Sequence, residues 1–448
     1  MKKERNEYLE IIRNLRGDPE GREKAAKYVA DSDCYVYGFP APFSFVPAFY
    51  REEELKFMED TVRMTHGILS KVIRRYVEDP EYRKIFAFPK AVEDLILLPC
   101  NYEEQLPISR FDFFLNEEDR SFKFCEFNAD GTAAMSRTQI GCEAVELSPS
   151  FKEFCKNHEP KAFEYFDSWV DAFLETYASD KNAKENPNVL ITDFEDAVTL
   201  SDITRCLDAF ERRGVTARFV DIRELYFDGE ALRDTYDNMA FDAVYRRVCT
   251  SDMAQRYEEC KPLIDAVAAE KTVLIGHFRT TVTHAKMVNI ALLDPITEEF
   301  LTEEERAYVK EHVLPTYRLR HDTPGLDIED VKKNKNGWVI KPEDDYDSHG
   351  VFAGGDMTQE EWEEKVDSFV DKGYVAMVFH RPNTCKICLP GTFDEKAEDY
   401  GIGDWYSMIG TYSYNGKFVG FFSRMGQEHV ISESHHGVSI PSFRLEGE

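Results

Sequence analysis

Apolar residues recur at three- and four-residue spacings over residues 7–16, 23–31 and Glu52–Glu78, which predicts a mostly helical first hundred residues. A Pro- and Phe-rich stretch at 38–50 interrupts them. The period then falls to two. Residues 109–115 and Phe122–Asn128 read as strands, and the polar run 116–121 between them reads as the turn of a hairpin. Between 188 and 225 a strand (189–192), an amphipathic helix (200–213), Gly214 and a second strand (217–220) give the order of a βαβ unit. Another apolar strand follows at 240–248, and helical segments run to about His312. From Gly337 the texture turns to β, with runs at 338–341, 375–380, 405–414 and 418–424. No internal repeat or low-complexity tract is present.

The hairpin carries the first candidate chemistry. Side chains alternate across a strand, so Arg110 and Asp112 share one face while Phe111 and Phe113 share the other. Glu126 and Asn128 likewise share a face. A register that sets Asp112 opposite Glu126 also sets Arg110 opposite Asn128, and gathers all four on one patch. Opposed carboxylates repel across a sheet unless a cation neutralises them. Two carboxylates and an amide oxygen form a hard oxygen set suited to Mg²⁺, and an adjacent arginine suits a phosphoryl oxygen. The bland alternative is a solvated sheet face.

A second element runs from Gly337 to Gly355. An apolar strand ends in Lys341, a polar loop rich in acids follows, and Gly350 opens the next strand. Lys341 can meet phosphate as a point charge while the loop folds over it. The alternative is an exposed hairpin turn.

Composition narrows the class. The chain has 448 residues, 42% of them apolar, 13% aromatic and 31% charged, which describes a folded enzyme-sized protein of more than one unit. Its net charge of −30 argues against a nucleic-acid partner and mildly favours a cationic one, such as a polyamine. No apolar run reaches membrane-spanning length and the first residues lack the apolar core of a leader, so the expectation is a cytoplasmic protein without a membrane partner. Ten scattered cysteines fit reduced thiols. Cys385 and Cys388 have metal-ligand spacing, but no second pair follows to complete a zinc site.

Arg-x-Asp followed fourteen residues later by Glu-x-Asn-Ala-Asp, then a distant strand-Lys-Pro-loop-Gly-Val, resembles the circularly permuted ATP-grasp enzymes, including the synthetase domain of glutathionylspermidine synthase. Tyr245-Arg246-Arg247 and the segment 436–441 extend the resemblance from about Arg110 to Phe443. In ordinary ATP-grasp proteins the metal-binding acids follow the nucleotide lysines, and here they precede them. The resemblance implies a mixed α+β and α/β chain with a circularly permuted ATP-grasp fold, a small pre-ATP-grasp-like α/β domain and a helical N-terminal segment. The expected division is a helical segment over 1–100, the part of the core with the metal hairpin over 101–185, the small substrate domain over 186–250, and nucleotide-binding subdomains with core completion over 251–448.

By the same resemblance Asp112, Glu126 and Asn128 hold Mg²⁺ and Arg110 meets the γ-phosphate of ATP. Lys286, Lys341 and Gly350 belong to the phosphate site, and Val375, Ala376, Met377 and Val378 form the hinge strand whose backbone reads adenine. Arg424 faces an acyl-phosphate, and Asp130, Glu195, Asp196 and Arg247 serve substrate. Met377-Val378 stands where many hinges carry Gln-Glu, and Asp347-Ser348 where related loops often carry paired glycines. The implied activity is an ATP-dependent carboxylate–amine ligation through an acyl-phosphate, with an amino acid, peptide or polyamine among the substrates. A nucleotide-binding protein without turnover and a small-molecule kinase are the alternatives, and the oligomeric state is left open.

Overall fold

Helix Glu52–Glu78 forms because its buried residues Met58, Val62, Thr65, Leu69, Val72 and Tyr76 follow a four-three spacing along one stripe. Three glutamates occupy its first turn, where the helix dipole favours negative charge, and Glu54 accepts from the Arg51 amide at 2.8 Å. Asp79 ends it and Pro80 opens the next helix. This helix lies across the central sheet. The computed structural model describes residues 1–195, 199–345, 348–394 and 397–446.

The predicted hairpin is present as β1 (Ile108–Leu115) and β2 (Phe122–Asn128). Its register pairs Arg110 with Asn128 and Asp112 with Glu126, with an irregularity between Asp112 and Phe113. All eight residues of β1 are buried, because the strand is central and covered on both faces. On one face Phe111, Phe113, Phe124 and Phe127 enter the main apolar core.

The small α/β unit is a four-stranded parallel sheet. Strands β3 (Asn188–Asp193) and β4 (Thr216–Asp221) flank the crossover helix Leu200–Arg212, as the sequence predicts. β5 (Ala243–Arg246) lies on the other side of β3, and β6 (Val273–Ile275) completes the order β6-β5-β3-β4. This unit therefore runs past residue 250, where the sequence reading ends it. The reason is topological: a parallel neighbour needs a crossover, supplied here by helices Thr250–Gln255 and Tyr257–Ala268.

A separate antiparallel sheet holds β7 (Trp338–Pro342) and β8 (Tyr374–Val378), in the order Thr316–Arg318, β8, β7, Phe352–Ala353. The short helix Ile328–Lys333 and helix Gln359–Phe369, which opens on a Thr358–Glu361 capping box, cover it and go unmarked in the sequence reading. Trp362 is wholly buried between them and donates to the Val331 carbonyl at 2.8 Å.

The central seven-stranded sheet is closed by β9 (Gly403–Tyr414) and β10 (Arg424–Gly426). β9 pairs antiparallel with β1 through Ile409–Tyr414 and with β10 through Tyr406–Met408. Residues early and late in the chain thus share one sheet, in the order Val438–Ser439, β10, β9, β1, β2.

Candidate functional site

Asp112 is fully buried. Arg110, two residues along the same strand, donates Nε to its Oδ1 at 2.7 Å and Nη2 to its Oδ2 at 2.9 Å. Asn128, across the hairpin, donates Nδ2 to Asp112 at 3.0 Å and to Glu126 at 3.3 Å. Arg424 from β10 also donates to Asp112 Oδ2, and its Nη2 stands 3.8 Å from Glu126 Oε1. The Phe422 ring packs beneath the guanidinium groups of Arg110, Arg137 and Arg424, at 4.9, 5.8 and 5.3 Å from its centroid. Gly410 of β9 faces Asp112, and a Cβ there would lie 2.8 Å from its Oδ1.

Two lysines bring their charge to Glu126 from separate elements. Lys341, the last residue but one of β7, donates to the Cys125 carbonyl at 3.3 Å, while Lys286 donates to the Asp345 carbonyl at 2.6 Å. Both side chains are more than nine-tenths buried. Their ammonium groups have no carboxylate ion pair among the described residues. Burial pushes the Glu126 carboxyl upward, but the positive charges of Lys286, Lys341, Arg424 and Arg110 outweigh it and hold the group well below the ordinary range. Glu126 is therefore ionised with a single long hydrogen bond from the described residues.

Glu126 and Ser348 line two cavities at once. The first is an apolar slot between Val339, Ala353 and Met377 of the antiparallel sheet and Phe114, Met408 and Ile431 on the central-sheet side. The peptide groups of Val375, Ala376 and Met377 are taken up by ladders on both sides, because β8 is a central strand. Val378 donates its N–H to the Pro315 carbonyl at 2.9 Å, and proline has no N–H to return the bond. The Val378 carbonyl is thus the first backbone acceptor of the strand left for a ligand. Gly350, at φ +66°, sits against the Tyr374 hydroxyl and Pro342, where a side chain would collide.

The second cavity is a polar cleft of about 670 Å³ lined by Arg110, Arg137, Asp193, Arg247, His284 and Arg424, among others. Several of these buried groups are incompletely bonded. Arg247 makes one long contact, 3.4 Å to Asp202, and leaves Nε and Nη1 without partners. Nε of Arg137 and of Arg424, Oε1 of Glu433 and Nδ1 of His284 are also unpartnered. Buried polar atoms of this kind carry a desolvation cost that a polar ligand relieves. Burial raises the Asp193 carboxyl to about 6 despite nearby Arg247. Burial and the charge of Lys286 lower the His284 imidazole to about 4, which keeps it neutral at pH 7.

The residues singled out in the sequence thus come together unevenly. Arg110, Asp112, Asn128 and Arg424 bond to one another beside Glu126, which lines both slot and cleft and lies in the field of Lys286 and Lys341. Met377 and Val378 line the slot, whereas Val375 and Ala376 lie inside their sheet. Arg247 lines the cleft, but the Asp130 carboxylate is turned to structural work. It pairs with Arg246 and accepts from the Thr250 amide at 2.6 Å and the Thr280 hydroxyl at 3.1 Å. Glu195 is exposed to solvent, and Asp196 and Asp347 lie outside the described residues. Arg137, Glu433, Phe422 and Gly410 were missed, because each becomes part of the site only through contacts made by distant segments.

No family model and no curated protein matches the chain in sequence. Among solved structures, a glutathione synthetase-like effector from Globodera pallida in its apo form is similar over 95% of this chain and 96% of that one, with a TM-score of 0.58 at 13% identity. The two share a fold. A gamma-glutamylcysteine synthetase-like protein from Methylobacillus flagellatus KT, described as putative, gives 10% identity over 84% of this chain and 88% of its own, with a TM-score of 0.38. A D-cycloserine synthetase gives 18% identity over 43% and 59%, with a TM-score of 0.29. At those scores neither bears on the fold.

Proposed function

We propose that this chain is an ATP-dependent ligase of circularly permuted ATP-grasp architecture that joins a small carboxylate to an amine through an acyl-phosphate. The observation that carries the reading is the meeting of Asp112 and Glu126 with Lys286 and Lys341 where an apolar slot opens into a polar cleft. The fold shared with the glutathione synthetase-like effector supports it, and so does the motif resemblance to glutathionylspermidine synthase.

The residues present fit a magnesium nucleotide. A flat base suits the slot beside the Val378 carbonyl, and the two lysine ammonium groups, bonded to peptide carbonyls, are suited to exchange them for phosphate oxygens. Asp112, Glu126 and Asn128, with its amide turned, supply an oxygen set for Mg²⁺. The bound metal supplies charge neutralisation at the transferring phosphoryl group. Arg110, oriented by Asp112, and Arg424, over the Phe422 ring, stabilise the same charge from the protein side. The carboxylate and the amine then meet in the cleft, where Arg247 presents unpaired donors and Asp193 an acid.

The test is incubation with Mg-ATP and a panel of acids and amines, with phosphate release as the readout. Release that requires both an acid and an amine, and that disappears in an Asp112→Asn, Lys341→Met double variant, supports the ligase. A stable phosphorylated product from one substrate marks a kinase instead. Nucleotide binding without any turnover marks a binding protein.

A further inference from the structure

Oδ2 of the Asp112 carboxylate has no acceptor capacity to spare. Oδ1 takes Arg110 Nε at 2.7 Å, and Oδ2 takes Arg110 Nη2 at 2.9 Å, Asn128 Nδ2 at 3.0 Å and Arg424 Nη2. Each carboxylate oxygen offers about two lone-pair sites, and the second site on Oδ1 faces Gly410. Even with the Asn128 amide turned away, the two guanidinium donors fill Oδ2, so no divalent cation can join there until one of them leaves. Glu126 is the opposite case, with one 3.3 Å bond and a surplus of positive charge around it.

The donors differ in how tightly they are tied. Arg110 grips both oxygens of Asp112 from the same strand, and Asn128 lies directly across the hairpin. Arg424 reaches in from β10 through Nη2 alone, and its Nε has no partner. It is also the charged donor that reaches both carboxylates, standing 3.8 Å from Glu126, where the neutral Asn128 amide bridges the same pair. Beside it lie the open cleft and the Phe422 ring, 5.3 Å from its guanidinium carbon.

We propose that Arg424 is the resident cation of the metal pocket: its guanidinium bridges Asp112 and Glu126 until a divalent cation arrives, and then withdraws toward the cleft. This rests on the metal-binding reading above and adds a regulation to it. Without a bridging cation the two opposed carboxylates would repel, so Arg424 lets the hairpin fold with the pocket empty of metal. Metal binding must then displace a bonded guanidinium. Affinity is low until nucleotide phosphates supply further metal ligands and a new partner for the freed arginine. Metal and nucleotide consequently bind with positive coupling, and Arg424 carries that coupling.

The test is titration of the full chain with Mn²⁺, followed by paramagnetic resonance, with and without a non-hydrolysable ATP analogue. Arg424→Met is expected to bind Mn²⁺ alone about tenfold more tightly than wild type, within the range usual for coupled sites. Arg424→Lys should fall between them, and the analogue should tighten Mn²⁺ binding less in Arg424→Met than in wild type. Equal or weaker Mn²⁺ binding by a folded Arg424→Met overturns the proposal. Should that variant not fold, an affinity of Arg424→Lys equal to that of wild type overturns it. Failure of wild type to bind Mn²⁺ even with the analogue is a different result, because it removes the metal site itself.

Discussion

Gly410→Ala is the sharpest probe of the site, because it alters no charge and no hydrogen-bonding group. A Cβ at Gly410 would lie 2.3 Å from the Phe422 carbonyl oxygen and 2.8 Å from Asp112 Oδ1. Restoring even a 3.0 Å contact to the carbonyl requires at least 0.7 Å of backbone movement. The two backbones are locked together there by the Phe422 amide donating to the Gly410 carbonyl at 2.8 Å. Overpacking of this kind costs roughly 1–3 kcal/mol. The movement falls between Asp112 on one side and the Phe422 and Arg424 segment on the other. Sites of this type tolerate about 0.5 Å, and misplacement near 1 Å costs on the order of a hundredfold in rate. Gly410→Ala should therefore bind Mn²⁺ with nucleotide at least about tenfold more weakly and turn over on the order of a hundredfold more slowly. Gly420→Ala serves as the comparison. Its Cβ would meet the Tyr165 ring at 2.6 Å and Phe163 Cβ at 2.9 Å, so it should lose similar stability by thermal melting and keep its metal affinity. A Gly410→Ala protein that melts like Gly420→Ala and binds Mn²⁺ like wild type would refute the assignment of Asp112 to the metal.

Lys341→Met keeps the buried stem and removes the charge; calorimetric titration with Mg-ATP should show a loss of affinity of at least about tenfold, with circular dichroism unchanged. Asp193 has its folded pKa near 6, raised above the ordinary value, so the folded state holds its proton more tightly than the unfolded chain does and stability falls as pH rises from about 4 to 6. Asp193→Asn should consequently melt higher than wild type at pH 7.5, with the gap narrowing as pH is lowered through 6; an unchanged gap contradicts the buried carboxyl. Asp130→Ala leaves Arg246 buried without a counter-charge, so denaturant unfolding should show a loss of about 3–5 kcal/mol, while any ligase activity that remains keeps its substrate KM.

The hairpin was readable because its information is local. Phe111, Phe113, Phe124 and Phe127 mark the core face, and a period of two then fixes which polar groups share the other face and in what register. The βαβ unit was readable for the same reason, since one amphipathic helix sits between two apolar strands. Its fourth strand, Val273–Ile275, has only three residues and carries too little pattern to be separated from its helical surroundings. The cleft was less legible. Arg137 lies in helix Met135–Glu146 with nothing in its neighbours to mark it, and acquires meaning only when Glu433 arrives to pair with it. Gly410 looks like any glycine inside a strand until Asp112 and Phe422 are brought against it. Asp130 follows the metal motif in sequence, yet its partner Arg246 turns it inward to tie the parallel sheet to the hairpin.

The pairing of β1 with β9 has a consequence during synthesis. Thr411 bonds to Phe111 across 300 positions of chain. At the usual pace of translation, about 5–20 residues per second, a nascent chain holds β1 without that neighbour for roughly 15–60 s. Throughout that interval Asp112 lacks Arg424 as well, since β10 follows β9. A chain released before β9 would present an unpaired apolar strand edge to other polypeptides, so termination there should yield insoluble product rather than a partly working protein.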